Sequence, residues 1–401
     1  MSKNLLFVSI AFPPKNDPEC LQAGRYAYYL KKNFDWDITV VTSKIPTLFM
    51  PYDASLERLS KDFEKIDIPI LESKLSNKIL SIVRPNLLNQ PDSKYSFYKQ
   101  WKKVVKNYDG PHIIYSRSFP LSSTLMALKL KMHYKIPWIM HLSDPWVESS
   151  LHNMTSDYHK NAERLSFEKA DLISFTTVEA MHLYKEKYPT LEEKFFVNTN
   201  VFEQNVVEKI KSKEKTQDVK IVYTGGLANT RNAKVFLSAL KIASKKEPKI
   251  SKILKVTFAG DMDSNNRINF ESLTHLNNLH HLGLLSQEDA AKLQSTADLL
   301  LVIDSKIHDI NKNVFLPSKI IDYAAQNKAI LAITENNSPS NRFLNTYGGF
   351  SFSFDEDEKL ADFLIELVNN PKLLNKEKRN PKEYEVQNQV KILNKKLLSL
   401  L

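Results

Sequence analysis

One local pattern occurs twice in this chain of 401 residues: an apolar run that empties into a turn and then into a helical pattern. Leu5 to Ile10 (LLFVSI) leads through Phe12-Pro13-Pro14 to a helix expected to begin near Glu19. Val219 to Tyr223 (VKIVY) leads through Thr224-Gly225-Gly226 to a helix expected from about Asn232. A strand that ends at a helix N-terminus gathers unpaired backbone N–H groups and the positive end of the helix dipole, which suits an anion. Two such units, each opening its own alternation, predict an α/β chain of two doubly wound, Rossmann-like domains facing a central cleft. That cleft is the expected place for a ligand carrying phosphate.

The alternation supports this. In the first half, strands are expected at Leu5–Ile10, Ile38–Thr42, Ile66–Ile70, His112–Tyr115, Trp138–His141, Leu172–Phe175 and Phe195–Val197, with helical patterns clearest at Leu121–Tyr134 and Tyr158–Lys169. Short apolar runs between longer helical patterns read as buried parallel strands. Residues 203–218 are polar and charged and read as a linker between a domain at 1–202 and a second at 219–380. In the second domain, strands are expected at 220–224, 255–259, 280–282, 299–303 and 329–333, and helices at 232–246, 266–276, 286–296 and 318–327. A last helix, 381–401, carries Val386, Val390, Ile392, Leu393, Leu397 and Leu398 and is expected to return to the first domain.

Composition narrows the class. The chain is 42% hydrophobic and 25% charged, ordinary for a globular protein. Its single cysteine, Cys20, excludes a disulfide framework and fits a reducing cytoplasm. The N-terminal apolar run reads as a strand, not a signal peptide, and no stretch approaches the roughly 18–20 apolar residues of a membrane span. The net charge of +10 is shared evenly, with 27 basic against 22 acidic residues in 1–200 and 29 against 24 in the rest, which argues against a nucleic-acid partner. One segment stands apart: Lys74 to Lys106 holds eight Lys/Arg against one acid, Asp92, among many apolar residues. It reads either as an anionic-membrane surface or as an ordinary helix with snorkelling lysines.

The order of several segments resembles the GT-B glycosyltransferases, in particular the large retaining family that includes bacterial lipopolysaccharide and capsule enzymes. The segments are IVYTGGLANTRNAKVFLSAL (221–240), VTFAGD (256–261), HLGLLSQEDAAKLQSTADLLLVID (281–304) and FLPSKIIDYAAQNKAILAIT (315–334). The first half adds AFPPKNDPECLQAGRYAYYL (11–30), DITVVTS (37–43), PDSKYSFYKQW (91–101) and WIMHLSDPWVE (138–148). The resemblance implies site residues at matching positions. Pro317-Ser318-Lys319 opens a helix under the donor diphosphate, with Ser318 as N-cap, and Asp322 would hold the ribose hydroxyls, since a carboxylate accepts two hydrogen bonds from a diol. Gly225 and Gly226 would admit phosphate, and Arg231, with Lys319, would neutralise the departing diphosphate. The first of the family's paired glutamates is missing: Val314 stands there, leaving Asn311, Lys312, Asn313 or backbone amides for the sugar.

On the acceptor side, His141 and Asp144 follow a strand and would contact the sugar or orient the acceptor hydroxyl. The alternative is a core histidine and an Asx-turn before Pro145. Phe12, Pro14 and Arg25 belong to a proline-rich loop expected to serve the acceptor, with Arg25 reaching a phosphate or lying on the surface. His275, His280 and His281 lack the spacing of a metal site, so no metal or other cofactor is expected. These readings lead to a metal-independent glycosyltransferase, peripheral at the inner face of the membrane. It would move a sugar with retention from a nucleotide diphosphate to a glycan or lipid-linked glycan in surface polysaccharide assembly. Its rivals are a nucleotide-sugar 2-epimerase on the same fold and a degenerate binding or scaffold subunit.

Overall fold

The computed structural model describes residues 3–45, 47, 50–71, 73–152, 154–204, 218–228, 230–273, 275–307, 309, 312–375 and 381–401. Most of the expected linker, 205–217, lies outside the described residues, as does Asn311. The chain divides into two compact units, Met1–Val201 with Glu383–Leu401, and Phe202–Lys382.

The first unit is built on seven parallel strands: β1 (Lys3–Val8), β2 (Trp36–Ser43), β3 (Glu64–Ile68), β4 (Ile113–Ser118), β5 (Trp138–Leu142), β6 (Leu172–Phe175) and β7 (Phe195–Val197). Their order is β3-β2-β1-β4-β5-β6-β7. β1, β4 and β5 are almost wholly buried, which is why they read as continuous apolar runs. The order reverses between β1 and β4, and a ligand crevice forms beyond strand C-termini at such a reversal. Helix α1 (Pro18–Phe34) starts there, its first turn capped by Asp17, whose side chain accepts from Glu19 N.

The final helix, Val386–Leu398, belongs to this unit although it ends the chain. Val386, Val390, Leu393 and Leu397, spaced three or four apart, share a core with Leu30, Trp36 and Val40. Trp36 Nε1 donates to Asn394 Oδ1 at 2.7 Å, and Asn198 Nδ2 donates to Gln389 Oε1 at 3.2 Å.

The second unit repeats the plan with β8 (Val219–Thr224), β9 (Leu254–Ala259), β10 (Leu279–His281), β11 (Leu299–Ile303), β12 (Ala329–Ile333) and β13 (Phe350–Phe352), all parallel, in the order β10-β9-β8-β11-β12-β13. Its reversal lies between β8 and β11. The structure adds elements the sequence reading did not place: β13, three residues after Gly348-Gly349 and too short for a periodic signal, and helices Pro339–Tyr347 and Asp357–Asn369. The helix expected at 266–276 is Ser264–Glu271, and Leu279, where β10 begins, donates its N–H to Leu276 O.

The basic stretch is divided among α2 (Lys74–Val83), α3 (Pro85–Asn89), α4 (Ser96–Lys99) and α5 (Trp101–Asn107). It is not one exposed basic face. Lys94 is buried, and burial pushes its ammonium down to about 8. Asp92 is spent on structure, accepting from Ser122 N at 2.8 Å and from Ser122 Oγ at 2.7 Å.

Candidate functional site

In the second unit, the turn after β8 packs on the turn after β9. Gly225 N donates to Ala259 O at 2.7 Å, and Leu227 N donates to Asp261 O at 2.9 Å. Both turns need glycine. Gly225 has φ 130° and Gly260 φ 132°, a region that L side chains rarely adopt. A Cβ on Gly260 would strike the Gly225 carbonyl, and a Cβ on Gly225 would strike the Nζ of Lys319. Glycine at 225 thus makes room for an ammonium group. Gly226, given the same role in the sequence reading, has an ordinary φ and its nearest neighbour to a Cβ is Asp261 O at 3.9 Å. Gly260→Ala should cost about 2–3 kcal/mol, whereas Gly226→Ala should stay within about 1 kcal/mol; thermal melts of the two variants check this, and equal losses would contradict it.

Lys319 is the second residue of the helix Ser318–Ala325. Pro317 occupies the N-cap, so Ser318 is not the cap expected from sequence, and no side chain bonds the first turn. Within that turn Ile320 N donates to Pro317 O at 3.1 Å. Lys319 Nζ donates to Tyr223 Oη at 3.1 Å and lies 4.3 Å from the centre of that ring. Burial, then the charge of Arg231, holds this ammonium well below the usual lysine range, with Asp304 opposing. Tyr323, on the same helix, ties it to β8: its hydroxyl accepts from Thr224 N at 2.9 Å.

Arg231 sits in the loop after Gly226. Buried Asn266 holds that loop, its Nδ2 donating to Arg231 O at 3.1 Å and its Oδ1 accepting from Ala233 N at 2.9 Å. Among the described residues, the buried Nε of Arg231 has no hydrogen-bond partner. Asp304 follows β11 and is buried; it accepts from Thr334 Oγ1 at 2.6 Å, and burial raises its carboxyl despite Thr334, Arg231 and Lys319. Asp322 is half-buried on the same helix as Lys319, one residue before Tyr323. Val314 is buried and Asn313 nearly so, which leaves neither free for a sugar by exposure. The second unit thus gathers Gly225, Arg231, Lys319 and the N-terminus of the helix Ser318–Ala325 at one strand reversal, a setting whose chemistry suits an anion.

The first unit has a different edge. Arg117, near the end of β4, is fully buried and pairs with Glu19 of α1, Nε to Oε1 at 2.7 Å and Nη2 to Oε2 at 3.3 Å. Ser143 Oγ donates to Glu19 Oε2 at 2.7 Å. The Arg117 guanidinium also lies 5.0 Å from the centre of the Tyr26 ring. Burial raises the Glu19 carboxyl, and Arg117 and Ser143 only partly offset it. The sequence reading passed over this group. The available signal was an arginine inside the buried strand IIYSRS, which demands a counter-charge.

His141 and Asp144 separate here. His141 is fully buried, opposite Arg117 and Ser174 in the sheet register, with Nδ1 2.8 Å from Ser174 Oγ. Burial, then Arg117, holds its imidazole well below the usual histidine range, so it is neutral. Among the described residues its buried Nε2 has no hydrogen-bond partner, so the core reading accounts for Nδ1 alone. Asp144 remains partly exposed, 3.9 Å from His152 Nε2. The proline-rich loop corrects the acceptor expectation. Phe12 and Pro14 are buried, Phe12 edge-on to Phe7 and Phe63, so they anchor the loop in the core and are not presented to an acceptor. Arg25 is buried as well, its Nη1 donating to Val201 O, which removes it from a phosphate role. His281 also has a structural task, Nε2 lying 2.8 Å from Gly260 O. Among the described residues no group of three or more His, Cys, Asp or Glu side chains is arranged to hold a metal.

Known structures share this fold over the whole chain. Sucrose-phosphate synthase from Thermosynechococcus elongatus superposes with a TM-score of 0.70 at 13% identity, covering 99% of each chain. HepE of Anabaena, solved in complex with UDP and glucose, gives a TM-score of 0.67 at 14% identity over 100% of both chains. The lipopolysaccharide outer core galactosyltransferase WaaB gives 0.62 at 11% identity, covering 99% of this chain and 100% of that one. No protein-family model matches the chain, and no curated protein matches it. The fold is therefore GT-B, with two Rossmann-like domains.

Proposed function

We propose that the chain is a retaining glycosyltransferase that takes its sugar from a nucleoside diphosphate donor. The observation that carries the reading is the buried Arg231 Nε left without a partner beside Lys319 and the uncapped helix that begins at Ser318. Basic side chains beside a helix N-terminus suit a diphosphate and its growing charge as the sugar departs. HepE, of the same fold, was solved with UDP and glucose, which favours a uridine donor. WaaB acts in the lipopolysaccharide outer core, which favours a glycan or lipid-linked glycan acceptor in surface polysaccharide assembly, at the cytoplasmic face of the membrane.

In the proposed step the bond between the anomeric carbon and the diphosphate oxygen breaks, and the acceptor oxygen bonds to that carbon from the same face. The acceptor's proton passes to the leaving phosphate. Arg231 and Lys319 hold the departing charge, and Asp322 holds the ribose. His141 is assigned no proton transfer, since it is buried and neutral. Asp144 is the first-unit side chain assigned to the sugar or acceptor. No metal is assigned, so turnover should persist in excess chelator.

A thermal-shift screen against UDP, GDP, ADP and CMP and their sugars tests the donor, because a ligand of the native state raises apparent stability. Incubation with each sugar then separates the rivals: acceptor-dependent release of nucleoside diphosphate supports transfer, an epimeric donor recovered without acceptor overturns it, and binding alone points to a scaffold. Asp322→Ala should weaken nucleotide binding by about 1.5–3 kcal/mol, the loss of a charged hydrogen-bond partner. Calorimetry with unchanged affinity would remove Asp322 from the site.

A further inference from the structure

Helix α2 turns its apolar side to solvent. Leu75, Ile79, Ile82 and Val83, with Leu71 just before the helix, are between 52% and 76% exposed. At about 100° per residue, positions 75, 79, 82 and 83 fall on one stripe. The half-buried positions, Asn77 and Leu80, lie on the other side. A helix resting on its own domain would bury that stripe, so the usual amphipathic order is inverted.

The surroundings are cationic. Lys78 flanks the stripe, Arg84 follows it, and no acidic residue occurs between Lys74 and Gln90. Lys99, Lys102, Lys103 and Lys106 are exposed on α4 and α5. That pair of helices is bonded to the strap entering α2. Ser96 Oγ accepts from Leu71 N at 2.9 Å, and Gln100 Nε2 donates to Pro69 O at 2.6 Å. Lys103 Nζ in turn donates to Gln100 Oε1 at 2.6 Å. The strap at Pro69 and Leu71 thus ties the start of α2 to the segment that carries the exposed lysines.

We propose that α2 lies in the interface of an anionic lipid bilayer, with Leu75, Ile79 and Ile82 in the acyl boundary and the lysines of α4 and α5 against the headgroups. The basic residues around the stripe, with Glu72 the single acid in the sequence from Leu71 to Gln90, select this occupant over a second copy of the chain, which is itself cationic. Lys94 takes no part because it is buried. The inference deepens the reading of a lipid-linked acceptor, and it is tested by binding alone, so that either can fail without the other.

The test is co-sedimentation of the full chain with phosphatidylcholine vesicles, with and without about a third phosphatidylglycerol, at low salt and at about 0.5 M salt. The wild type should partition onto the anionic vesicles at low salt. Leu75→Ser, Ile79→Ser and Ile82→Ser combined should lower that partition at least about tenfold. Lys99→Gln, Lys102→Gln and Lys103→Gln combined should lower it several-fold and flatten the salt dependence. Because all six side chains are exposed or half-exposed, melting temperatures should hold. An environment-sensitive fluorophore on Ile79→Cys, with Cys20 buried, should shift to the blue on anionic vesicles. Partition unchanged by the serine substitutions, or no blue shift, would overturn the proposal. So would a wild-type dimer in solution that the serine variant abolishes, since a second copy would then cover the stripe.

Discussion

Arg117→Ala should lower the stability of the first unit by about 3–5 kcal/mol, because removing one partner of a buried pair strands the other charge. Arg117 is fully buried and Glu19 nearly so, and among the described residues no other cation bonds that carboxylate. All four tryptophans, Trp36, Trp101, Trp138 and Trp146, lie in this unit, so denaturation followed by tryptophan fluorescence reports it separately. The deficit should depend on pH in a definite direction. The Glu19 carboxyl already titrates above its ordinary value through burial, with Arg117 pulling it down. Without Arg117 it rises further. A raised carboxyl contributes its stability below the unfolded value and loses it as pH rises through the folded value. The variant should therefore be closer to wild type at about pH 5 than at about pH 8. Replacing both Arg117 and Glu19 by methionine should recover much of the loss, because neither charge is then stranded. A deficit independent of pH and undiminished in the double variant would mean that the pair is not the source.

Arg231→Ala should lower kcat by about a hundred- to a thousandfold, about 2.7–4 kcal/mol of barrier, while nucleotide affinity falls much less. Charge on the departing diphosphate is largest in the transition state, so a cation aimed there acts chiefly on turnover. The Nε of Arg231 has no internal partner to strand, but the buried Asp304 carboxyl loses a nearby cation, so the melting temperature is measured beside kcat to separate lost fold from lost chemistry. Asn266 gives a control. It positions the Arg231 backbone through two hydrogen bonds without being placed against the donor, so Asn266→Ala should reduce kcat less than Arg231→Ala and should also lower stability. A raised KM with unchanged kcat in Arg231→Ala would make this residue a docking group. No effect on either constant would return it to the solvated loop.

The two strand–turn–helix units were legible because strands buried on both faces must be continuous apolar runs, and helices resting on them must be periodic. β6, β7, β11 and β12 fall where the runs lie. Gly225 was marked by its place after a strand, Arg231 by the resemblance and Lys319 by the need for charge near a diphosphate; the structure puts Lys319 Nζ against the position of a Gly225 side chain. Other assignments failed where a side chain's meaning depends on what covers it. Phe12, Pro14 and Arg25 looked like loop residues open to a ligand, yet the loop folds into the core. Lys94 looked like one of eight equivalent basic residues, yet it is buried.

Sequence by itself determined most element types, their alternation and the two-unit plan, since these follow from local periodicity and from residues with unique backbone properties. Tertiary structure alone decided the rest. Glu19 and Arg117 pair across 98 positions of chain. Gly225 holds φ 130° in a turn whose N–H donates to Ala259 O, and the Lys319 ammonium lies where a side chain at that position would point. The apolar stripe of α2 faces outward although its periodicity would serve equally well facing inward. In each case the deciding quantity is a distance or a burial between residues far apart in sequence, and local pattern carries no information about which surfaces will meet.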